Sequence, residues 1–350
     1  MTKHEAHRPT IAVYGANGHT GGYLLTELHR RGLTPILVGR NTDRLRAAAT
    51  AAGLTDPDIR LADLDDPNAL AAAFSGADAV ISSLPAYVEL GEPILVAAIA
   101  AGAHYVDIAG EQLFLKRVLD EYGPRAEAAG VTVLPGVTDT NLPADLIAEL
   151  IARRLPAPVE FTIGHHTRGG AGSRGSAKTL LASQDWFRDG GWHFAEGEFR
   201  TGPVRQAEMH YPGEAAPAPV AKFPFGAVLT IPRHIDAASV VGVLRSEFRD
   251  MVIGLTPELV AALPEKPGAA SDMGHDLVVD AVGADGRRLR GVLSGLDSYR
   301  DSGLIAVEAA VRLAGGSAKA GVLVPAEAFD AADFLTSLGV HDIDWKIEIQ

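Results

Sequence analysis

No cysteine occurs in the 350 residues. That excludes a disulfide framework, thiolate-ligated zinc, an iron–sulfur cluster and a thiol nucleophile. Positive charge is also scarce: 31 Lys and Arg stand against 44 Asp and Glu, a formal net charge of −13. A surface that acidic suits neither nucleic acid nor a polybasic membrane contact. Long apolar runs are missing too. The longest, Pro93 to Ala103, is about half of the ~20 residues needed to span a bilayer. Met1 to Thr10 is polar and offers no apolar stretch of the ~7–15 residues that a signal peptide needs. The expectation is a cytoplasmic protein. What the chain does have is apolar bulk, 47% of its residues, and a length that suggests two domains at about 150 residues each.

Short apolar runs alternate with helical patterns through the first 135 residues. Ile11–Tyr14, Pro35–Val38, Ile59–Ala62, Ala79–Ser82, His104–Ile108 and Val131–Leu134 read as strands. Helices are predicted over Thr20–Arg31, Thr42–Ala52, Asp66–Phe74, Glu92–Ala101 and Gln112–Ala129. Strands this short and this apolar, separated by helices, predict a doubly wound parallel sheet, an α/β fold.

The first strand–helix junction reads Gly15-Ala16-Asn17-Gly18-His19-Thr20-Gly21-Gly22. Glycines at this spacing permit a tight turn and let the backbone approach a pyrophosphate, which then meets the free N–H groups of a helix N-terminus. The turn follows a strand and opens a helix, the context that a dinucleotide site requires. The second strand ends at Gly39-Arg40-Asn41, with a cation and no carboxylate beside the ribose 2′ position, which points to NADP(H) rather than NAD(H). Asp63, past the third strand, either caps the adenine or caps its own turn. Ser82, Ser83, Leu84 and Pro85 lie where the fourth strand meets the crevice. In open α/β sheets ligands bind at the C-terminal strand ends, so Tyr87, Asp107 and Glu111 are catalytic candidates, Tyr87 first as proton donor. Asp107 and Glu111 could instead fix the loop around Gly110. None of the seven tyrosines has lysine four residues on, which excludes a Tyr-x-x-x-Lys dehydrogenase.

Pro156 and Pro158 mark a boundary, giving segments 1–150, 151–300 and 301–350. A half-exposed strand from Val159 runs into His165 and His166, only one of which should face a given pocket. No acid at zinc-like spacing adjoins them, so no metal site is expected. The glycine-rich loop 169–176 precedes a helix over Ala177–Trp186. Asp139, His165, Ser173, Arg174, Ser176, Lys178 and Trp186 are the candidate substrate contacts. The aromatic segment 186–225 suits a substrate lid, a subunit interface (a homodimer stays open) or the second core. His275–Val282 and Arg288–Leu293 flank Asp285-Gly286, predicting a hairpin with a type I′ turn. Ile343 to Ile349 alternates, predicting a terminal strand.

Several of these motifs together resemble the saccharopine dehydrogenase-like family, in its saccharopine reductase-like and trans-acting enoyl reductase branch. They are Gly15–Gly21, Gly39-Arg40, Pro85-Ala86-Tyr87, the "Y-x-D-x-x-G-E" run Tyr105–Glu111, and Asn141-Leu142-Pro143-Ala144-Asp145-Leu146. The likeness covers residues 10–150 and resumes at 299–315 and 321–326. It departs at Gly136-Val137-Thr138-Asp139, where the family has Gly-Phe-Asp-Ser. The resemblance implies an NADP-binding Rossmann domain, an α+β domain on a mostly antiparallel sheet closing over the nicotinamide, and hydride transfer to a polarised C=C or C=N bond of a small-molecule substrate. A non-catalytic NADP-binding sensor is the alternative on the same scaffold.

Overall fold

The structure is a computed structural model and describes residues 8–169, 172–267, 273–316 and 318–350. The N-terminal Met1–His7 and, in the glycine-rich loop, Gly170 and Ala171 lie outside the described residues.

The six short apolar runs form six parallel strands: β1 (Ile11–Tyr14), β2 (Ile36–Gly39), β3 (Asp58–Leu61), β4 (Ala79–Ser82), β5 (His104–Asp107) and β6 (Thr132–Leu134). Their helices are α1 (His19–Arg30), α2 (Thr42–Ala51), α3 (Pro67–Phe74), α4 (Tyr87–Ala100), α5 (Gln112–Glu121) and α6 (Gly123–Ala129). The sheet order is β6-β5-β4-β1-β2-β3, so the direction of winding reverses between β1 and β4 and opens a crevice there. Burial on both faces explains the near-continuous apolar runs of β1, β2, β4 and β6, whereas the edge strand β3 is largely exposed.

Local chemistry adjusts the predicted helices. Asn41 caps α2, accepting a hydrogen bond from Arg44 N. The α4 helix starts at Tyr87 because Ala86 takes a left-handed φ of 51° and turns the chain, and Pro93 is accommodated inside. The helix expected over 112–129 breaks after Glu121, and Pro124, lacking an N–H, opens the next one.

Helix α7 (Asn141–Ala152) leads into the second sheet and is almost wholly buried. That sheet holds β7 (Val159–Arg168), β8 (His193–Ala195), β9 (Glu198–Arg200), β10 (Glu208–Met209), β11 (Ala218–Lys222), β12 (Ala237–Arg245), β13 (Gly274–Val282) and β14 (Arg288–Gly295). All of its pairings are antiparallel except β12 with β7. The β13–β14 connection is a loop of residues 283–287, closed by Gly283 N to Arg287 O, and within it only Gly286 has positive φ. A type I′ turn needs two such residues, so the expected tight turn is replaced by a longer one.

The C-terminal segment serves both sheets. Helix Ser298–Ala314 packs on α1, β4 and β5. Then β15 (Gly321–Val322) pairs with β6 as a seventh parallel strand, and β16 (Asp344–Ile349) pairs with β14. One apolar core accordingly runs through both layers, from Val13 and Leu134 past Ile147 to Phe161, Leu277 and Phe334.

Candidate active site

The glycine turn is built as its spacing requires. Gly15 has a φ of +88°, and a Cβ there would overlap Ser83 O; one on Gly21 would overlap Gly15 O. No side chain caps α1 at Gly18, which leaves the first N–H groups of the helix for an anion. Asn17, Gly18, His19, Thr20, Ser83, Leu84 and Pro85 line one end of a cavity of about 1070 Å³. The His19 ring meets Tyr299 edge-on at 4.8 Å, and burial lowers its pKa. These features fit a dinucleotide diphosphate. Arg40 is exposed at the end of β2 and makes no hydrogen bond or ion pair among the described residues. Asn41 is committed to its capping bond. Asp63 accepts a hydrogen bond from Leu64 N at 2.7 Å, so it caps its own turn. Ser82 is fully buried and contributes its carbonyl to Tyr87 rather than a side chain to the cavity.

The three catalytic candidates brace the crevice loops. The Tyr87 hydroxyl donates to Ser82 O at 2.6 Å and accepts from Leu84 N at 3.1 Å and Ile108 N at 3.4 Å. Burial pushes its pKa far up, so the group expected to donate a proton is locked into backbone bonds. Glu111 receives Tyr87 N at 2.7 Å and Gly110 N at 3.0 Å, and burial raises its carboxyl to about 7. Asp107 Oδ1 receives Ala109 N at 2.9 Å and Gly136 N at 2.8 Å; burial raises it to about 6. Together they stitch the ends of β4, β5 and β6. Asp145 is likewise spent on structure, bonding Ala326 N and His234.

The other end of the cavity belongs to the second sheet. Phe187, Phe223, Phe225 and Phe248 give it an apolar wall. Ser173 caps α8 (Arg174–Ala182) through Ser176 N, and Tyr299 OH accepts from Ser173 N at 2.8 Å. Arg174 lines the cavity, but its Nε is bound to Leu263 O at 2.7 Å. Ser176 and the exposed Lys178 line the cavity as well. Trp186 does not. It packs edge-on against Trp192 and donates to Gln112, so the expectation of a substrate contact there is corrected.

Asp139 and His165 meet on the polar wall, with His165 Nε2 3.2 Å from Asp139 Oδ2. His166 also lines the cavity, but its ring lies 5.2 Å from that of Tyr211 and its Nδ1 accepts from Arg245 Nε. Two residues escaped the sequence reading. His275 sits behind the pair, its Nδ1 3.4 Å from His165 Nε2, and Asp301 Oδ2 lies 2.8 Å from His275 Nε2. Burial alone would raise the Asp139 carboxyl, but the two histidines hold it near 2. Burial opposes a charge on His275, yet Asp301 and Asp139 raise its pKa overall. His275 is a strand neighbour of His165 on the diagonal, visible only once the register of β13 on β7 is known.

Fold and site define an α/β protein in which a Rossmann-like parallel sheet carries a mostly antiparallel second sheet, with a cavity between them whose glycine turn suits a dinucleotide. Residues 11–134 match the family model described as saccharopine dehydrogenase NADP binding domain. A trans-acting enoyl reductase of Mycobacterium tuberculosis is 30% identical over 148 residues, covering 41% of this chain and 35% of the relative. A lipid droplet localized protein of Caenorhabditis elegans is 30% identical over 149 residues, covering 40% and 35%. The matched stretch thus spans about a third of the length of these relatives. Apo saccharopine dehydrogenase (L-Glu forming) of Saccharomyces cerevisiae superposes with a TM-score of 0.65 at 14% identity, covering 98% of this chain and 100% of that one, a likeness of fold. Among the described residues no helix is long and apolar enough to cross a membrane.

Proposed function

We infer that this chain is an NADPH-dependent reductase that delivers hydride to a polarised C=C or C=N bond of a small or medium organic molecule. One observation carries the reading. A single cavity runs from the open N-terminus of α1 to the aromatic wall of the second sheet, so a dinucleotide held at the glycine turn reaches an organic substrate without leaving it. When bound, NADPH supplies the hydride. Gly15, Gly18, Gly21 and the first N–H groups of α1 would hold its diphosphate, Arg40 its 2′-phosphate, and Ser83–Pro85 the nicotinamide side. Phe187, Phe223 and Phe225 exclude water from the substrate, and Asp139 with His165 orients its polar end. Ser173 and Ser176 line the same cavity, with their hydroxyls bonded to each other.

The wall chemistry favours an apolar enoyl substrate over a dicarboxylate amino-acid adduct. Such an adduct wants free guanidinium groups, whereas Arg174 is tied to Leu263 O and Arg168 to Asp276. The test is consumption of NADPH with conjugated enoyl thioesters and cyclic imines of increasing chain length. Turnover that improves with apolar length supports the enoyl reading. Tight NADPH binding without turnover of either substrate class overturns it in favour of a sensor.

A further inference from the structure

We propose that Asp139 Oδ2, His165 Nε2 and His275 Nδ1 form a three-point site for a divalent metal ion of the zinc class, set in the polar wall of the cavity. The proposal goes beyond the reductase reading and holds whether or not the chain reduces anything.

The spacing is the first argument. The three atoms stand 3.2 Å (His165 to Asp139), 3.4 Å (His165 to His275) and 3.6 Å (His275 to Asp139) apart. Ligand atoms about 2.0–2.1 Å from a tetrahedral zinc lie about 3.3 Å from one another. Hydrogen bonding alone serves this triangle poorly. N–H···O bonds fall at about 2.7–3.2 Å, and two of the three edges are longer. Asp139 Oδ2 is buried and, among the described residues, receives no hydrogen bond of good geometry.

The surroundings are the second argument. A ligating histidine normally gives its other ring N–H to a carboxylate, and a ligating carboxylate is itself hydrogen-bonded. His275 Nε2 lies 2.8 Å from Asp301 Oδ2, which puts the ring proton there and aims the Nδ1 lone pair at the other two donors. Asp301 is held in turn by Leu296 N at 3.0 Å and Arg300 Nη1 at 2.7 Å. The free oxygen of Asp139, Oδ1, accepts from Ser302 Oγ at 3.0 Å. Gly295, opposite His275 on β14, leaves room for this pair, since a Cβ there would overlap both Asp301 Oδ2 and His275 Nε2. Two imidazoles and one carboxylate with no thiolate suit zinc and its first-row neighbours. Asp139 and His165 line the cavity, so the fourth position opens toward it.

The experiment is a titration of the chelator-stripped full chain with Co(II), read by the visible bands of tetrahedral cobalt, followed by back-titration with Zn(II) and a metal count by mass spectrometry. One Co(II) per chain, displaced by one Zn(II), is expected. His165→Ala and Asp139→Ala should each weaken binding by about a hundredfold, and Asp301→Asn by roughly 10–100-fold. His275→Ala should abolish it; because that ring is fully buried, circular dichroism checks its fold and the partly exposed His165 variant stands in if it fails. His234→Ala, at a separate histidine–carboxylate cluster, should change nothing. Uptake weaker than micromolar, or uptake that survives both His165→Ala and Asp139→Ala, overturns the site. NADPH binding to the same samples by fluorescence is measured in parallel. A lost metal with intact NADPH binding sinks this proposal alone, and metal uptake without turnover sinks only the reductase reading.

Discussion

His165 Nε2 stands 3.2 Å from Asp139 Oδ2 across the join between the two sheets. Asp139 follows β6 of the parallel sheet and His165 lies on β7 of the second, so neither sheet alone carries the polar wall. This predicts a separation of effects. His165→Ala and Asp139→Asn should lower turnover by roughly tenfold or more, because the reacting bond loses its orientation. NADPH affinity, set at the other end of the cavity, should move less than about twofold in either variant. Parallel losses in turnover and in NADPH binding would show instead that the pair holds the domains together.

NADPH should bind at least about tenfold tighter than NADH. The second strand ends in Arg40 and Asn41 with no acid at its own tip, and Asn41 is occupied as a helix cap. A free guanidinium can hold a phosphate by two charge-assisted bonds, each worth roughly 1.5–3 kcal/mol. Arg40→Ala should therefore cost about tenfold to a few hundredfold in NADPH affinity and leave NADH unchanged. The preference should narrow at high salt. Equal dissociation constants in the unmutated protein would remove Arg40 from the site and leave the glycine turn untouched.

Tyr87→Phe should destabilise the protein rather than slow it. The substitution strips three backbone groups (Ser82 O, Leu84 N and Ile108 N) of a buried partner. Such losses cost about 1–3 kcal/mol. Denaturant midpoints should fall accordingly, with kcat per folded molecule close to unchanged. A large fall in kcat at unchanged stability would restore the hydroxyl as a proton donor.

Stability should decline as pH rises through the weakly acidic range, in part through Glu111. Its carboxyl titrates near 4.5 in the unfolded chain and at about 7 when folded. The folded state therefore holds the proton more tightly. The stability this contributes is full below about pH 4.5 and is lost as pH climbs toward 7, at no more than about 1.4 kcal/mol per pH unit. Asp107, raised to about 6, acts in the same direction. Glu111→Gln removes one titration, so melting curves of the variant should show a shallower pH slope between about pH 5 and 7. Identical slopes would mean that Glu111 stays ionised in the folded protein.

Much of the first domain could be read along the chain because its signals are local. Short apolar runs bounded by turn residues and alternating with helical patterns mark the buried strands, and Gly15, Gly18 and Gly21 act on the backbone within a single turn. The parallel sheet, its crevice and the phosphate end of the cavity follow from such runs. What a side chain does at the crevice is not local. Tyr87, Asp107 and Glu111 fall where catalytic groups belong, yet their partners are backbone groups of neighbouring loops, and only packing decides that a hydroxyl is consumed as a brace. Trp186 lies near the right helix but turns toward Gln112. The Asp139–His165–His275–Asp301 cluster is the extreme case. Its members lie on four separate elements and come together through the pairing of β13 with β7 and the docking of helix Ser298–Ala314 against the first sheet. A chain that reads Ser-Asp-Met-Gly-His275 at a strand start carries no mark of what will face that ring. The sequence determined the kind of sheet and where a dinucleotide would approach it; the tertiary structure decided which side chains meet at the far wall, because contacts between residues on separate elements, from Asp139–His165 to Asp139–His275, depend on register and docking that no local pattern encodes.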